Sequence, residues 1–198
     1  MLQYVVGGNN SLDIIDTAKT ALRNNCKWLR LDLSEVSKVE QEQLVVAIAK
    51  SCKMFDAILT IENDVEGAKQ LKVDGVHISQ PSTSPVDARK ALGEEPIMGI
   101  TIKDASEVLF VSRSAVDYIE VDKSVADITV LKEVVQQMKA TGRDEPVVAK
   151  LNRVPHMSML RSLGVDGISI DNTDASPVEL KDLISKLELL NEERLNSL

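Results

Sequence analysis

The sequence predicts an α/β fold, a single compact (β/α)8 barrel of the TIM-barrel class. Short apolar runs alternate with longer segments of helical period eight times along the 198 residues. No hairpin signal interrupts them, since neither Asn-Gly nor Asp-Gly stands as a two-residue turn between alternating runs. A short pattern, Val-Asp-(Gly/Tyr)-apolar-x-apolar, begins at Val73, Val116 and Val165. Eight strand–helix units in sequence imply parallel strands, and eight parallel strands close into a barrel.

The predicted strands are the eight short apolar runs. They cover residues 2–6, 27–33, 57–61, 75–78, 97–102, 118–121, 146–150 and 167–170. An open doubly wound sheet is the rival architecture, but it usually ends at about five or six strands and carries a glycine fingerprint after its first strand. The stretch "GGNNS" at 7–11 lacks the third glycine. The closed barrel is therefore the better prediction.

The predicted helices follow the strands and show apolar residues at helical spacing. They cover residues 11–24, 39–53, 64–71, 85–92, 104–114, 127–141, 155–163 and a last segment that starts near Pro177. Ser11 is the expected N-cap of the first helix, and Pro85 suits the first turn of the fourth. We expect residues 1–198 to form one domain, with a polar tail at 191–198 that frays.

The three copies of the repeated pattern begin strands four, six and eight of the predicted barrel. In each copy the Asp closes the helix-to-strand turn at the bottom of the barrel, and the Gly or Tyr begins the strand. A TIM barrel carries its chemistry at the opposite end, just after the strands. The repeat is therefore expected to be scaffold, not part of a functional site.

The bulk composition excludes several classes of protein. A net charge of -8 without any cluster of Lys or Arg argues against a nucleic-acid partner. No apolar run approaches the roughly 18 residues of a membrane helix, and no signal peptide follows Met1, so we expect a cytoplasmic protein with no membrane partner. Cys26 and Cys52 lack the spacing of a metal site or a disulfide framework and are expected to be small apolar fillers.

Polar side chains are unusually frequent on the strand faces that point into the barrel. Alternation along each strand places branched apolar residues toward the helices and the other parity inward. The inward polar set comprises Arg30, Asp32, Thr60, Glu62, His77, Ser79, Thr101, Lys103, Glu120, Asp122, Lys150, Asn152, Ser169 and Asp171. Buried charges are costly unless they are paired, so these residues either form an ion network or bind a ligand.

Lys150 is the inward residue with the widest range of possible chemistry. Near Glu120 and Glu62, it could act as a Schiff-base nucleophile or as a general base. The competing interpretation is a lysine in a structural ion pair or one that reaches solvent. His77 lies in the middle of a strand, where a hydrogen-bonded core histidine is commoner than a catalyst. The run "DNTDAS" at 171–176 is better explained by a helix cap and solvent than by a bound cation.

Residues 59–108 carry motifs of a known family. The stretch contains "DGVHISQ" and, downstream, "ARKALG". It resembles the middle of thiamine-phosphate synthase and its relative thiazole tautomerase, and the similarity continues through "DYIEV" (117–121), "PVVA" (146–149) and "GVDGISI" (164–170). The resemblance implies a (β/α)8 barrel linked to thiamine biosynthesis. It also implies a transferase that joins a hydroxymethylpyrimidine diphosphate to a thiazole phosphate with Mg²⁺ and releases pyrophosphate.

The positions that the resemblance assigns to the diphosphate and the metal hold other residues in this chain. The family's strand-two motif Gln-x-Arg-x-Lys, which grips the diphosphate, aligns with Arg30, Asp32 and Ser34. Its strand-three pair Asn-Asp, which includes a metal ligand, aligns with Glu62 and Asn63, and Ser82 replaces a second metal-binding Asp. Mg²⁺ is expected of the family, but its ligand positions are not retained, so we predict no metal site and no other cofactor.

The phosphate-binding loops differ as well. After strand six the family has the loop Gly-Pro-Val-Phe-x-Thr-x-Thr-Lys, whereas this chain runs "EVDKSVADIT", with Lys123 at the position of the tautomerase's catalytic histidine. The Gly-Gly that holds the thiazole phosphate after strand seven becomes Leu151-Asn152. A phosphate pocket needs small residues that let the backbone approach. Glu120 and Asp122 would also repel a phosphate.

Three functional hypotheses follow. The first is a thiamine-phosphate synthase-like protein with altered or lost activity. The second is a remodelled barrel enzyme that performs carbonyl chemistry with the catalytic residues Lys150, Glu120, Glu62 and Asp122. The third is a non-catalytic small-molecule-binding or scaffold protein. The candidate substrate-binding residues are Arg30, Asp32, His77, Thr101 (which keeps the hydroxyl of a family serine), Asn152 and Asp171. The expected partner is a small-molecule ligand, and the apolar segment at 183–190 would also allow a homodimer.

Overall fold

The fold was obtained as a computed structural model, which describes residues 1–80, 84–111, 115–122, 128–152 and 157–195. Eight parallel strands pair in chain order and close into a barrel, which confirms the predicted architecture. The strands are β1 (Leu2–Gly7), β2 (Trp28–Asp32), β3 (Ile58–Glu62), β4 (Gly75–Ile78), β5 (Ile97–Ile102), β6 (Tyr118–Val121), β7 (Val147–Leu151) and β8 (Gly167–Asp171).

Helices cover the outside of the barrel. They are α1 (Ser11–Arg23), α2 (Lys38–Phe55), α3 (Val65–Leu71), α4 (Pro85–Leu92), α5 (Ile128–Ala140), α6 (Met157–Ser162) and α7 (Leu180–Leu195), with a 3₁₀ helix at Ala105–Leu109. Within the described part of the chain, no helix combines the length and the apolar character needed to cross a membrane.

The start of α1 differs from the sequence prediction. Asn10, not Ser11, is the N-cap of α1, because its Oδ1 accepts the N–H groups of Leu12 at 2.9 Å and Asp13 at 3.4 Å. A side-chain acceptor one residue earlier therefore satisfies the free N–H groups of the first turn.

The segment predicted as a helix over 104–114 also differs. It is a 3₁₀ helix, in which the carboxylate of Asp104 accepts the N–H groups of Ser106 and Glu107. Such a tight turn favours a short 3₁₀ helix over a long α-helix. Residues 112–114 of the predicted helix lie outside the described residues.

The last helix begins at Leu180 and not near Pro177. The N–H of Ser176 donates to the carboxylate of Glu179 at 2.7 Å in a turn that precedes the helix. Residues 191–195 form the end of this helix, so the tail that was predicted to fray begins inside the helix. The fraying stays a prediction, and residues 127, 155–156 and 196–198 lie outside the described part of the chain.

The apolar core lies between the strands and the helices. Residues on the outward faces of the strands, such as Leu29, Leu31, Val76 and Ile78, are fully buried against α-helical residues such as Ile48. Burial of each such side chain contributes about 1.5–3 kcal/mol. The inward faces instead bury polar residues without any exposure, namely Gln3, Arg30, Thr60, His77, Glu120 and Ser169. The predicted alternation of faces therefore holds for these residues, whereas Lys103, which was also assigned inward, is exposed just beyond the end of β5.

The Asp of each repeated pattern links two neighbouring strands at the bottom of the barrel. A carboxylate oxygen of Asp74 accepts the N–H of Leu59 at 2.7 Å. In the same way Asp117 accepts from Met98 at 2.7 Å, and Asp166 accepts from Val147 at 2.9 Å. The repeats are therefore scaffold that holds each even-numbered strand against the strand before it.

A helix is tied to the same turn at Asp117. Arg89 of α4, within the "ARKALG" motif, donates to the Asp117 carboxylate at 2.6 Å. It also donates to the backbone oxygens of Ala115 at 3.1 Å and Pro96 at 2.7 Å. Because Arg89 is buried, these contacts satisfy a charge that water cannot reach.

Loss of the Asp117 carboxylate is expected to destabilise the barrel. The variant Asp117→Ala removes the acceptor of the Met98 N–H and the ion-pair partner of Arg89, which should lower the free energy of unfolding by about 1–3 kcal/mol. Urea denaturation measures this loss. Asp117→Asn keeps an acceptor for Met98 and should lose less, and Glu94→Ala, which removes an exposed loop carboxylate, should change it by less than about 0.5 kcal/mol. An unchanged unfolding curve for Asp117→Ala would contradict the scaffold role.

Candidate functional site

A buried ion pair crosses the centre of the barrel. Nη1 of Arg30 donates to Oε2 of Glu120 at 2.7 Å, and Nη2 donates to Oε1 at 3.1 Å. Glu120 also accepts hydrogen bonds from the hydroxyls of Ser169 at 2.5 Å and Thr101 at 3.1 Å. Both ionic side chains are fully buried. Four donors therefore occupy the Glu120 carboxylate, and it is not free to act on a ligand.

The ion pair fixes the charge states of both partners. Burial alone would raise the pKa of Glu120, but the guanidinium of Arg30 holds that pKa well below its usual range. Burial would likewise lower the pKa of Arg30, whereas Glu120 and Glu62 raise it. Removing one partner of such a pair leaves an unmatched buried charge, which costs about 3–5 kcal/mol. The pair is therefore a structural element of the barrel interior.

His77 is a hydrogen-bonded core histidine. Its Nδ1 lies 2.7 Å from the hydroxyl of Tyr118, and its Nε2 lies 2.7 Å from the hydroxyl of Thr101. Its ring stacks on that of Tyr118 at a centroid distance of 5.5 Å. A Cβ atom on Gly99, an inward residue of β5, would overlap the Tyr118 ring, so glycine makes room for this stack. Burial, and then the charge of Arg30, lowers the pKa of His77, which keeps the imidazole neutral.

Three inward residues were missed by the sequence prediction. Gln3 accepts from Nη1 of Arg30 at 3.4 Å, and Nε1 of Trp28 donates to the hydroxyl of Thr60 at 3.2 Å. Tyr118 completes the set, and its ring packs against that of Trp28 in a T-shaped arrangement. Trp28 and Tyr118 each lie two positions before a residue that was assigned inward, so the same alternation could have identified them.

The Lys150 cleft opens at the mouth of the barrel, at the carboxyl ends of β1, β2, β7 and β8. Its volume is about 210 Å³, and its lining residues are Val5, Gly7, Gly8, Asp32, Ser34, Glu35, Lys150, Asp171, Asn172 and Thr173. Nζ of Lys150 lies 3.3 Å from Oδ1 of Asp171. The side-chain amide of Asn172 accepts the N–H of Gly7 at 3.0 Å and donates to its carbonyl at 3.2 Å, which fixes the floor of the cleft.

Lys150 has a different ionic partner from the one predicted. The sequence placed it near Glu120 and Glu62, but Glu120 is occupied by Arg30 and Lys150 pairs with Asp171. The physical reason is that alternation assigns a residue to a face but not to a depth. Lys150 lies two residues further along β7 than Val148, the residue in register with Glu120.

The Glu62 cleft lies beside the first, between the carboxyl ends of β2 and β3. Its volume is about 270 Å³, and its lining residues are Leu31, Asp32, Leu33, Ser34, Lys38, Gln41, Glu42, Val45, Ile61, Glu62, Asn63, Asp64, Leu71 and Gln80. The two clefts share Asp32 and Ser34. Oε2 of Glu62 lies 3.7 Å from Nε of Arg30, and neither atom has a hydrogen-bond partner among the described residues.

The described residues do not fit a resident Mg²⁺. Within the described ranges, no three carboxylate, histidine or cysteine side chains converge on a common point. Glu62 faces the guanidinium of Arg30. The Asn63 carbonyl oxygen accepts the N–H groups of Ser79 at 2.9 Å and Gln80 at 3.3 Å. A hard cation needs several free oxygen ligands, whereas here the Asn63 oxygen is engaged and the Glu62 carboxylate already faces a cation.

The other candidate residues divide between the interior and the rim. Arg30, His77 and Thr101 belong to the buried network, whereas Asp32 and Asp171 line the clefts. Asp122 is half-buried and Asn152 is exposed, and neither lines either of the two clefts. Ser82 and Lys123 lie outside the described residues.

Comparisons with known proteins identify the family and confirm the fold. The family described as thiamine monophosphate synthase matches residues 2–170. The chain is 29% identical over 181 residues to a thiamine-phosphate synthase of Bacteroides fragilis, and the match covers 85% of this chain and 89% of that protein. It is 30% identical over 185 residues to a thiamine-phosphate synthase of Bacteroides thetaiotaomicron, at 87% and 88% coverage. Thiamine phosphate pyrophosphorylase from Pyrococcus furiosus has the same fold, with a TM-score of 0.74, 16% identity, and coverage of 93% of this chain and 95% of that one.

The neutral state of His77 predicts a loss of stability in mild acid. Its folded pKa lies below the ordinary value of 6.5, so the unfolded chain binds more protons between the two values. The free energy of unfolding should therefore fall as the pH drops below about 6.5, by at most about 1.4 kcal/mol per pH unit. Urea titrations near pH 7.5 and pH 5.5 measure the slope, and His77→Gln should flatten it. An equal slope in the variant would show that another group causes the effect.

Proposed function

Since the chain belongs to the thiamine monophosphate synthase family, we propose that it serves thiamine biosynthesis as a thiamine-phosphate synthase-type protein. It binds a heterocyclic precursor at the Lys150 cleft, and its Mg²⁺-dependent transfer from a pyrimidine diphosphate is strongly reduced. The proposed partner is a small molecule, with no nucleic-acid or membrane partner, and the proposed location is cytoplasmic. The family match over residues 2–170 supports the pathway.

The position of Asp32 is the observation that carries the reduced transfer. Asp32 ends β2 and lines both clefts, and its Oδ1 accepts the N–H of Ser34 at 3.1 Å. The resemblance assigns Arg and Lys to these two positions, where they grip the diphosphate. A carboxylate about 4 Å from a phosphate oxygen repels it by about 1–4 kcal/mol, depending on the local dielectric. The substitution therefore acts twice, by removing attraction and by adding repulsion.

The Lys150 cleft supports binding of a small heterocyclic molecule that both donates and accepts hydrogen bonds. The Lys150 ammonium and the Asp171 carboxylate lie side by side, with 15% and 16% of their side chains exposed. Gly8, at φ 138°, brings bare backbone to the rim of the cleft. Because Arg30, His77 and Thr101 are occupied by one another and by Glu120, we propose that they position the mouth and do not touch the ligand.

The carbonyl-chemistry hypothesis has weaker support. A Schiff-base nucleophile must be a free amine, whereas the ion pair with Asp171 suits an ammonium group. Glu120, its proposed acid–base partner, is occupied by Arg30, and Glu62 faces Arg30 as well. We therefore assign Lys150 to ligand binding.

The first experiment tests transfer activity and ligand binding together. With hydroxymethylpyrimidine diphosphate, thiazole phosphate and Mg²⁺, the protein should form thiamine phosphate at least about 10²-fold more slowly than the Bacteroides fragilis relative, because a missing charge-stabilising group has an effect of this size. In thermal-shift measurements, hydroxyethylthiazole should raise the melting temperature of the wild type. Lys150→Met should abolish that rise, and Lys103→Met, at an exposed lysine outside both clefts, should keep it. A rate equal to that of the relative, or a shift unaffected by Lys150→Met, would contradict the proposal.

A second experiment tests carbonyl chemistry at Lys150. The protein is incubated with small aldehydes or keto acids, reduced with borohydride and examined by mass spectrometry. We expect no adduct on the peptide that carries Lys150, since the ammonium form cannot attack a carbonyl. A stoichiometric adduct that Lys150→Met removes would establish the enzyme hypothesis instead.

A further inference from the structure

We propose that one side of the barrel mouth is a docking surface for a protein whose contact area carries apolar and basic side chains. The surface, called here the apolar arc, consists of Leu12, Val39 and Val86 together with the acidic residue that follows each of them. A protein partner at this surface is additional to the small-molecule ligand of the Lys150 cleft.

A four-residue pattern recurs at the start of three helices. It consists of Asn or Ser, any residue, Leu or Val, and Asp or Glu, and it reads "NSLD" at 10–13, "SKVE" at 37–40 and "SPVD" at 84–87. These copies begin α1, α2 and α4, which follow β1, β2 and β4. Helices of a (β/α)8 barrel begin at the carboxyl ends of the strands, so all three copies lie at the mouth.

The first and fourth positions of the pattern cap the helices. The hydroxyl of Ser37 donates to the carboxylate of Glu40 at 2.5 Å, and the hydroxyl of Ser84 accepts the N–H of Asp87 at 3.4 Å. The copy at the start of α1 has the same contact between its first and fourth positions. Such caps explain the polar positions, but they require nothing apolar at the third.

The third position of the pattern is apolar although it faces solvent. The exposed fraction is 76% for Leu12, 70% for Val39 and 55% for Val86. Single exposed apolar residues are ordinary on a protein surface. Three of them at one position of a repeated pattern, and at one end of the barrel, instead indicate an interaction surface.

The arc has the dimensions of a protein interface. The strands that precede its helices belong to the run β1-β2-β3-β4, so the arc extends from α1 across α2 and α3 to α4. Neighbouring helix axes lie about 8–10 Å apart, which gives a span of roughly 25–30 Å. A standard interface buries about 800 Å² on each partner, which corresponds to a patch about 30 Å wide.

The Glu62 cleft opens inside the arc and supplies a pocket. Lys38, Gln41 and Glu42 of α2 line one side of it. Its apolar walls are Leu31, Leu33, Val45, Ile61 and Leu71. At about 270 Å³ it admits one large side chain, and the strongest contacts of protein interfaces are side chains that fill such pockets. The Glu62 carboxylate itself faces Arg30, so the apolar walls receive the anchor.

The charge of the arc selects a basic partner. The residues that follow the three apolar positions are exposed carboxylates, namely Asp13, Glu40 and Asp87. Glu42 at the rim of the pocket is exposed as well, whereas Lys38 already pairs with Asp64 at 2.5 Å. Opposite charges steer encounter and like charges repel. The arc therefore fits a surface on which Lys or Arg surrounds apolar side chains.

The same charges disfavour two other occupants. A second copy of this chain, with a net charge of -8, would bring the carboxylates of one arc against those of the other. An anionic lipid surface attracts basic segments and repels acidic ones. A basic protein surface is the occupant that the observations favour.

The first experiment uses two labelled helical peptides of equal length, one of leucine and lysine and one of leucine and glutamate. In fluorescence anisotropy titrations of the full-length protein, the leucine–lysine peptide should bind at least about tenfold more tightly, because only its charges complement the arc. Sodium chloride at about 0.5 M should weaken that binding, since it screens exposed charges. Equal binding of the two peptides would overturn the proposal, and this comparison needs no variant.

Variants then locate the binding. Leu12→Ser combined with Val39→Ser should weaken binding of the leucine–lysine peptide by at least about tenfold. The matched control combines Val178→Ser with Met54→Ser. Met54 is 82% exposed in the last turn of α2, and Val178, 67% exposed, stands in a further copy of the pattern, "SPVE" at 176–179.

That further copy lies away from the mouth. The carbonyl of Pro177 accepts a hydrogen bond at 3.0 Å from the side chain of Asn24, which ends α1 at the bottom of the barrel. The control should therefore bind the peptide as the wild type does, and both variants should keep the wild-type urea unfolding curve, because all four positions are exposed. An equal loss in both double variants, or no loss in the first, would overturn the assignment to the arc.

Two further measurements test the other occupants. In sedimentation velocity we expect a coefficient that does not change with protein concentration, and we expect no protein bound to vesicles of phosphatidylcholine and phosphatidylserine. Self-association that Leu12→Ser with Val39→Ser abolishes would identify a second copy as the occupant. Vesicle binding that the same variant abolishes would identify a membrane. Either result would overturn the proposal of a basic protein partner.

Discussion

The ion pair between Arg30 and Glu120 is the interaction on which the interior of this barrel depends. It joins β2 to β6, two strands that are not neighbours in the sheet, and it fills the centre of the barrel with charge. Apolar residues of similar volume often stabilise an interior equally well or better, so the pair does not explain stability by itself. Its main effect is to order the charges around it, since every neighbouring ionisable group has to take a protonation state that is compatible with the pair.

That order extends from the centre to the mouth. Glu120 accepts four hydrogen bonds, and one of them comes from the hydroxyl of Thr101. The same hydroxyl lies next to Nε2 of His77, whose imidazole stays neutral. Because Arg30 is satisfied at both Nη atoms, Oε2 of Glu62 meets only its Nε, at 3.7 Å, and has no hydrogen bond among the described residues. One pairing in the interior therefore decides which carboxylate binds both Nη atoms of Arg30 and which faces only its Nε.

The sequence was a good guide to the scaffold and a poorer guide to contacts. Strand alternation placed Arg30, His77 and Glu120 inside the barrel correctly, because period two is a property of each strand alone. It could not supply the partner of Lys150, since Asp171 and Glu120 both face inward from the two strands that flank β7, and alternation does not give their height along the barrel axis. The N-cap of α1 was misplaced by one residue for a related reason. Asn10 and Ser11 are both good caps, and only the backbone decides between them.

The division between a fixed bottom and a variable mouth explains how one scaffold can carry a different ligand site. Asp74, Asp117 and Asp166 bind backbone N–H groups at the amino ends of the strands, and these bonds set the register whatever follows the carboxyl ends. Asp32 and Glu62 lie at the opposite end, where a change of side chain alters charge without altering register. A phosphate-binding mouth could therefore become an acidic one through a few substitutions, and the family's scaffold would remain recognisable. The retained scaffold is evidence of lineage, whereas the proposed change of activity rests on the charges at the rim.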